Sequence, residues 1–276
     1  MAPTLYRGHR PGAQDRARDW AEIQERMLVP LYETVYDRLE VGADTRMLAL
    51  GCGSGLAMLL AGARGAAVTG CDTDESLLDL ARQRLMPEPT WGIGPAGLAR
   101  TRLLTGTADV LEDHIRFGDY DLITAFDPAA PASRLRPALA AVARSAPRGS
   151  AVVLAGWGPP ERCATSRLLA VATRLAEPRA AATRAPRLSG RDDLEDLARH
   201  AGLRPDGSGR VSCPFGYADA PSAVRGLLST GLFDAAVEAT DQQQVEKEIT
   251  EALHPYRRPD GTVRMDNVFR YMIARA

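Results

Sequence analysis

The sequence is nearly without lysine: of its 34 basic residues, Lys247 alone is not arginine, a bias we read as coding preference rather than function. Aromatic residues make up 5%, so the core must be aliphatic, built from Leu, Val and Ala. Charge of either sign is not in excess; the net value of −1 argues against nucleic acid as a dominant electrostatic partner. The four cysteines (Cys52, Cys71, Cys163 and Cys213) are dispersed and form no C-x-x-C pair. That disfavours a zinc site and a disulfide framework, and fits a reducing compartment. No apolar run approaches the ~18 residues of a membrane span, and the first residues show no apolar leader core. The expectation is a cytoplasmic protein without a membrane partner. Hydrophobic content of 45% and charged content of 25% are those of an ordinary globular chain.

What is present centres on the stretch Met47-Leu-Ala-Leu-Gly51-Cys52-Gly53-Ser-Gly55-Leu-Ala57. An apolar run breaks into alternating glycines and resumes as apolar and small residues. This reads as buried strand, tight turn and helix, with glycines that let a ligand approach the backbone. The first N–H groups of such a helix lack intrahelical partners and can hold a polar or anionic group. A second apolar run, 66–71, ends in Asp72, 21 positions after Gly51. An acid at the end of a second strand is placed to accept hydrogen bonds from ribose hydroxyls. Capping the helix that starts near Glu75 falls better to Thr73 or Asp74. The dinucleotide spacing G-x-G-x-x-G/A would require Gly or Ala at Leu56 or Met58 and is not met, which disfavours a nucleotide-linked oxidoreductase.

The pattern G-x-G-x-G after one strand and G-C-D-x-D after the next resembles the class I S-adenosylmethionine-dependent methyltransferases of the small-molecule type. The likeness extends through Trp20-Ala-Glu-Ile-Gln, Tyr120-Asp-Leu-Ile-Thr-Ala125-Phe126, Gly156-Trp-Gly-Pro-Pro-Glu161 and Asn267-Val-Phe-Arg-Tyr. The resemblance implies S-adenosylmethionine as cofactor and S-adenosylhomocysteine as product. It implies a cofactor site at Gly51, Cys52, Gly53, Gly55, Asp72 and Thr73, with Trp20 on a helix lying over the cofactor. The junction at Thr107, Ala108 and Asp109 would meet the adenine, and Ala125 and Phe126 would close the site at the end of strand four. One residue departs from the pattern. Family members usually carry an acid where this chain has Ala49, and that acid helps fix the methionine end of the cofactor. A cofactor-binding protein without transferase activity is therefore the alternative reading.

The rest of the chain alternates strand and helix, which predicts an α/β fold: a doubly wound, mostly parallel seven-stranded sheet of the Rossmann-like methyltransferase kind. We expect a single domain over 1–276. Residues 1–40 form an N-terminal arm and lid helices, 41–218 the core sheet, 219–253 a helical cap insert and 262–276 the final strand. Trp20, Ile23, Met27, Leu31, Val35 and Leu39 set a helical stripe over 15–40, which Pro30 should kink or divide. Strands are expected at 101–105, 121–126, 151–155 and 211–217, the last being a sixth strand, and a buried final strand at 268–273. Helices are expected at 55–63, 75–85, 134–145, 166–176 and 191–201, the last with Ser189 and Asp192 as an N-cap pair and Gly202 as C-cap. Trp91 falls in a loop over 86–100. Two insert helices, near 221–239 and 241–253, suit a cap over the acceptor site, the second opened by Thr240 and Gln243 in capping-box spacing. A scaffold or homodimer interface suits them equally.

Methyl transfer from a sulfonium is an in-line displacement that needs alignment more than proton transfer. The candidate acid–base groups are His114, His200, His254, Asp127, Glu161 and Asp266. Of these Asp127, just after strand four, and His254, after the cap helices, are placed as catalytic residues. The acceptor is expected to be a small molecule; nothing in the sequence names it.

Overall fold

Apolar residues stand at successive positions of β1 (Arg46–Leu50), so the strand needs cover on both faces. It has that cover: Met47 and Ala49 join one buried cluster and Leu48 and Leu50 the other. The computed structural model describes residues 12–86, 100–107, 115–127, 130, 132–176 and 190–276. Ala108, Asp109, Trp91, His114 and Ser189 lie outside them.

β1 is the third strand of a seven-stranded sheet in the order β3-β2-β1-β4-β5-β9-β6. β2 (Ala67–Asp72), β3 (Thr101–Thr105), β4 (Leu122–Ala125) and β5 (Ala151–Trp157) run parallel with it. β9 (Val268–Arg275) lies antiparallel between β5 and β6 (Arg204–Ser212). The strand order reverses between β1 and β4, which opens a crevice at their carboxyl ends. The expected strand at 211–217 is two elements instead. Its first residues end β6, and Phe215–Tyr217 forms β7, paired with β8 (Val263–Met265) in a separate two-stranded sheet. β6 begins Arg-Pro-Asp-Gly-Ser-Gly, without apolar alternation, and is a strand because β9 offers it an edge.

The N-terminal stripe is helical but not one helix. α1 (Ala13–Asp19) passes into a π-turn (Trp20–Gln24), a 3₁₀ turn (Glu25–Leu28) and α2 (Val29–Arg38), with Pro30 in the first turn of α2. Pro30 lacks an N–H, so it fits where no intrahelical bond is required. α3 (Leu56–Ala63) and α4 (Glu75–Leu85) follow β1 and β2, and Asp74 caps α4 by accepting from the N–H groups of Ser76 and Leu77. α5 (Ala132–Ser145) and α7 (Asp193–His200) cover the face of Leu48 and Leu50, while α6 (Thr165–Leu175) lies on the other. Asp192 holds the cap position of α7 without a side-chain hydrogen bond, and Gly202 ends that helix at φ +87°.

The stretch before the last strands holds three helices, not two: α8 (Ala220–Ser229), α9 (Asp234–Ala239) and α10 (Gln242–Ala252). Asp241, rather than Thr240, caps α10 by accepting from the N–H of Gln244. α8 lies on the π-turn so closely that a Cβ at Gly226 would come within 2.8 Å of Ile23 Cγ2. Tyr217 donates to Gln24 Oε1 at 2.9 Å in the same contact. Gly226→Ala is expected to lower stability by ~1–3 kcal/mol through overpacking. The urea midpoint should fall with the m-value unchanged; an unshifted midpoint would show that Ile23 yields freely.

Candidate functional site: a cleft across the strand ends

The glycine loop is fixed to its neighbours by the backbone. Gly51 and Cys52 donate to Cys71 O at 2.9 and 3.0 Å, and Gly106 donates to Asp72 O at 2.7 Å. Gly53 donates to Asp72 Oδ2 at 2.8 Å, and Asp74 N donates to Oδ1 at 3.0 Å. Asp72 thus holds two loops in position and keeps carboxylate lone pairs for a ligand hydroxyl. Gly51 and Gly53 take φ of +68° and +55°, a region in which a side chain would be strained. A Cβ at Gly51 would meet nothing within 4 Å, so the backbone there is open to the cleft.

The amides of Gly51, Cys52, Gly53, Gly55 and Leu56 are engaged inside the protein. The N-terminus of α3 already has its anion, the buried Glu25 carboxylate, whose Oε1 accepts from Leu56 N at 3.4 Å. Ser54 Oγ donates a short hydrogen bond to Glu25 Oε2, and Arg84 pairs with the same oxygen at 2.7 Å. Burial raises the Glu25 carboxyl above its ordinary range, against the lowering effect of Ser54 and Arg84.

A cleft of about 1120 Å³ runs over this loop. Its floor comes from the strand ends: Gly51, Cys52 and Gly53 after β1, Asp72 and Thr73 after β2, Thr107 after β3, and Ala125, Phe126 and Asp127 after β4. The N-terminal segment supplies Arg16, Trp20, Glu25 and Tyr32, and the stretch between α8 and α9 supplies Thr230 and Leu232. Arg16 and Asp234 meet across it at 3.0 Å. Both are partly exposed, so the pair is worth ~0–1 kcal/mol.

Most of the residues singled out in the sequence therefore converge. Gly55 does not line the cleft: a Cβ there would lie 3.0 Å from Leu85 Cδ1, so its part is to let α3 approach α4. His254 is exposed at the end of α10 and is not a cleft residue, nor are the exposed His200, Glu161 and Asp266. Cys52 is buried, and desolvation with the nearby Asp72 raises its thiol far above the usual range, so it packs rather than attacks. Glu25 and Tyr32 were not legible as site residues. Tyr32 is buried with its ring 5.0 Å from that of Phe126. Burial first, then Glu25, Tyr36 and Asp127, hold its hydroxyl protonated.

The site suits S-adenosylmethionine on its own terms. It has an acid at the second strand end, open backbone at Gly51, and an indole N–H of Trp20 that is buried without a partner. Residues 48–154 match the family model described as a methyltransferase domain. A search of curated proteins found no match. Among solved structures, the chain is similar to geranyl diphosphate C-methyltransferase from Streptomyces coelicolor A3(2), solved with Mg2+, geranyl diphosphate and S-adenosylhomocysteine. The TM-score is 0.52 at 13% identity, covering 98% of this chain and 86% of that one. It is also similar to a protein from Bacillus halodurans C-125 provisionally assigned as a methyltransferase, with TM-score 0.56 at 13% identity over 88% and 97% of the two chains. A third, from Galdieria sulphuraria and provisionally assigned as a sarcosine dimethylglycine methyltransferase, gives 0.56 at 14% identity over 96% and 98%. At these identities the likeness is one of fold. Fold, family match and the chemistry of the cleft agree: residues 48–154 carry a methyltransferase domain, set in a fold shared with S-adenosylmethionine-dependent methyltransferases.

Proposed function

We propose that the protein transfers a methyl group from S-adenosylmethionine to a small, partly apolar molecule, chiefly by holding the two in line and excluding water. The observation that carries this reading is the size of the cleft. About 1120 Å³ exceeds the ~300–1,000 Å³ of a pocket for one ligand and leaves room for a second molecule beside the cofactor. The cofactor, when bound, supplies a methyl group already activated on a sulfonium. The chain's residues then have to bind, align and enclose. Asp72 holds the ribose, and Leu28, Tyr32, Phe126 and Leu232 wall the acceptor end. Alignment of this kind lowers a barrier by up to ~7–11 kcal/mol, more than a proton transfer contributes.

Asp127 is the group in the acceptor end that orients the acceptor or takes its proton. Tyr32, held protonated, serves as a donor or as a wall, not as a base. The N-terminal helices and the 219–253 insert act together as the lid, in keeping with their shared place along the cleft.

Incubating the protein with S-adenosylmethionine and a panel of small apolar alcohols, amines and carbon acids, with S-adenosylhomocysteine release as the signal, tests the activity. Tight cofactor binding with no turnover on any acceptor would favour a binding protein instead. Asp72→Ala removes hydrogen bonds to a charged acceptor worth ~1.5–3 kcal/mol each, so calorimetric affinity for S-adenosylhomocysteine should fall at least ~tenfold. Unchanged affinity would displace the ribose from Asp72. With an acceptor in hand, Asp127→Asn should reduce turnover by less than ~10², the lower bound for loss of a general base. A loss of ~10²–10⁴ together with disappearance of the acidic limb of the pH–rate profile would make Asp127 the base.

A further inference from the structure

The amino-acid end of S-adenosylmethionine is a zwitterion, with an ammonium and a carboxylate on one carbon. A site for it must set a hydrogen-bond donor and an anionic acceptor side by side. Ala49 lines the cleft and brings neither. Two side chains of the N-terminal segment bring both: we infer that Trp20 and Glu25 form a clamp for the zwitterion, the indole N–H donating to its carboxylate and Glu25 Oε1 accepting from its ammonium. The inference rests on the S-adenosylmethionine reading of the cleft.

Four observations carry it. Trp20 Nε1 is buried without a hydrogen-bond partner, and an N–H in that state is a cost a ligand carboxylate would remove. Trp20 Nε1 and Glu25 Oε1 converge: each lies 3.4 Å from the point a Cβ of Gly53 would occupy. Glu25 is held by its other oxygen, through Ser54 and Arg84, while Oε1 has only the long 3.4 Å contact with Leu56 N and keeps lone pairs for an ammonium. The remaining cleft acids have other places. Asp72 holds Gly53 N, Asp74 caps α4, Asp234 pairs with Arg16, and Asp127 stands beyond the end of β4.

The backbone also brings the pair together. In an α-helix, residues five apart are rotated by ~500° and so point about 140° from one another. Trp20–Gln24 is instead a π-turn, in which Glu25 N bonds to Trp20 O. That i→i+5 bond sets residues 20 and 25 one above the other on a single face. Thr124 Oγ1, also buried without a partner and in register with Ala49 across β1 and β4, adds a polar atom beside the small residue. The acid absent from position 49 is thus supplied by the segment that lies over the loop.

The test is calorimetric binding of two probes that differ only at this end: S-adenosylhomocysteine, which carries the zwitterion, and 5′-methylthioadenosine, which lacks it. Trp20→Phe keeps the ring and removes the N–H; Glu25→Gln keeps the shape and removes the charge. Each should weaken S-adenosylhomocysteine binding at least ~tenfold and leave methylthioadenosine affinity unchanged. Adding Ala49→Asp to Glu25→Gln should recover S-adenosylhomocysteine binding. Should Glu25→Gln fail to fold with Arg84 unpaired, Trp20→Phe still decides the matter. Equal losses for both probes, or no loss for either, would overturn the clamp and leave Glu25 a structural anchor. If the wild-type protein binds the two probes with the same affinity, the clamp fails while the cofactor reading stands. If it binds neither, the cofactor reading fails first.

Discussion

A buried carboxylate ties the N-terminal segment to the β1–β2 half of the sheet. Glu25 reaches from a 3₁₀ turn to Ser54 in the glycine loop, to Leu56 at the start of α3 and to Arg84 on α4. Two charges taken out of water in this way gain little net stability over a packed apolar pair, but losing one partner costs ~3–5 kcal/mol. The cluster therefore acts less as a source of stability than as a restriction on where the segment may lie. With Glu25 seated, Trp20 stands over Gly53, and Tyr32 stands against Phe126 at the end of β4. Most of what covers the cleft follows from that one placement.

The floor of the cleft follows from a different constraint, the hydrogen bonding of the strand ends. β1, β2 and β3 finish side by side, and Cys71 O, Asp72 O and the Asp72 carboxylate take up the amides of Gly51, Cys52, Gly53 and Gly106. These bonds hold the loop against the ends of β2 and β3. Cys52 beside the glycine loop offers no thiolate, because burial raises its thiol far above the usual range. The N-terminal segment and the insert, by contrast, are joined by packing of α8 on the π-turn and by two partly exposed ion pairs, Arg16–Asp234 and Arg225–Asp19.

Local pattern made the floor legible. The glycines at 51, 53 and 55, the apolar runs that end at Leu50 and Asp72, and Asp74 before α4 are signals carried by a few adjacent residues. Where an element depends on a distant edge, the pattern failed. β6 has an Arg-, Pro- and Gly-rich sequence and exists because β9 presents hydrogen-bonding groups to it; β7, three residues long, exists because β8 does the same. The cap of α10 moved by one residue, from Thr240 to Asp241, a choice local sequence leaves nearly balanced.

The sequence by itself determined the alternation of strand and helix, the glycine turn between β1 and α3, and the acid at the end of β2. Each is encoded within about one strand–turn–helix unit, where periodicity and glycine chemistry act directly. The cover of the cleft was decided by the tertiary structure alone. Glu25 sits in a segment whose apolar stripe fits an ordinary amphipathic helix, and only the π-turn and the contacts with Ser54 and Arg84 show it to be buried. Residues that are 29 and 59 positions apart cannot be paired from local pattern. The exposure of His254 was not legible for the same reason: whether the end of α10 turns toward the cleft or toward solvent depends on how the insert docks, which no short stretch of sequence contains.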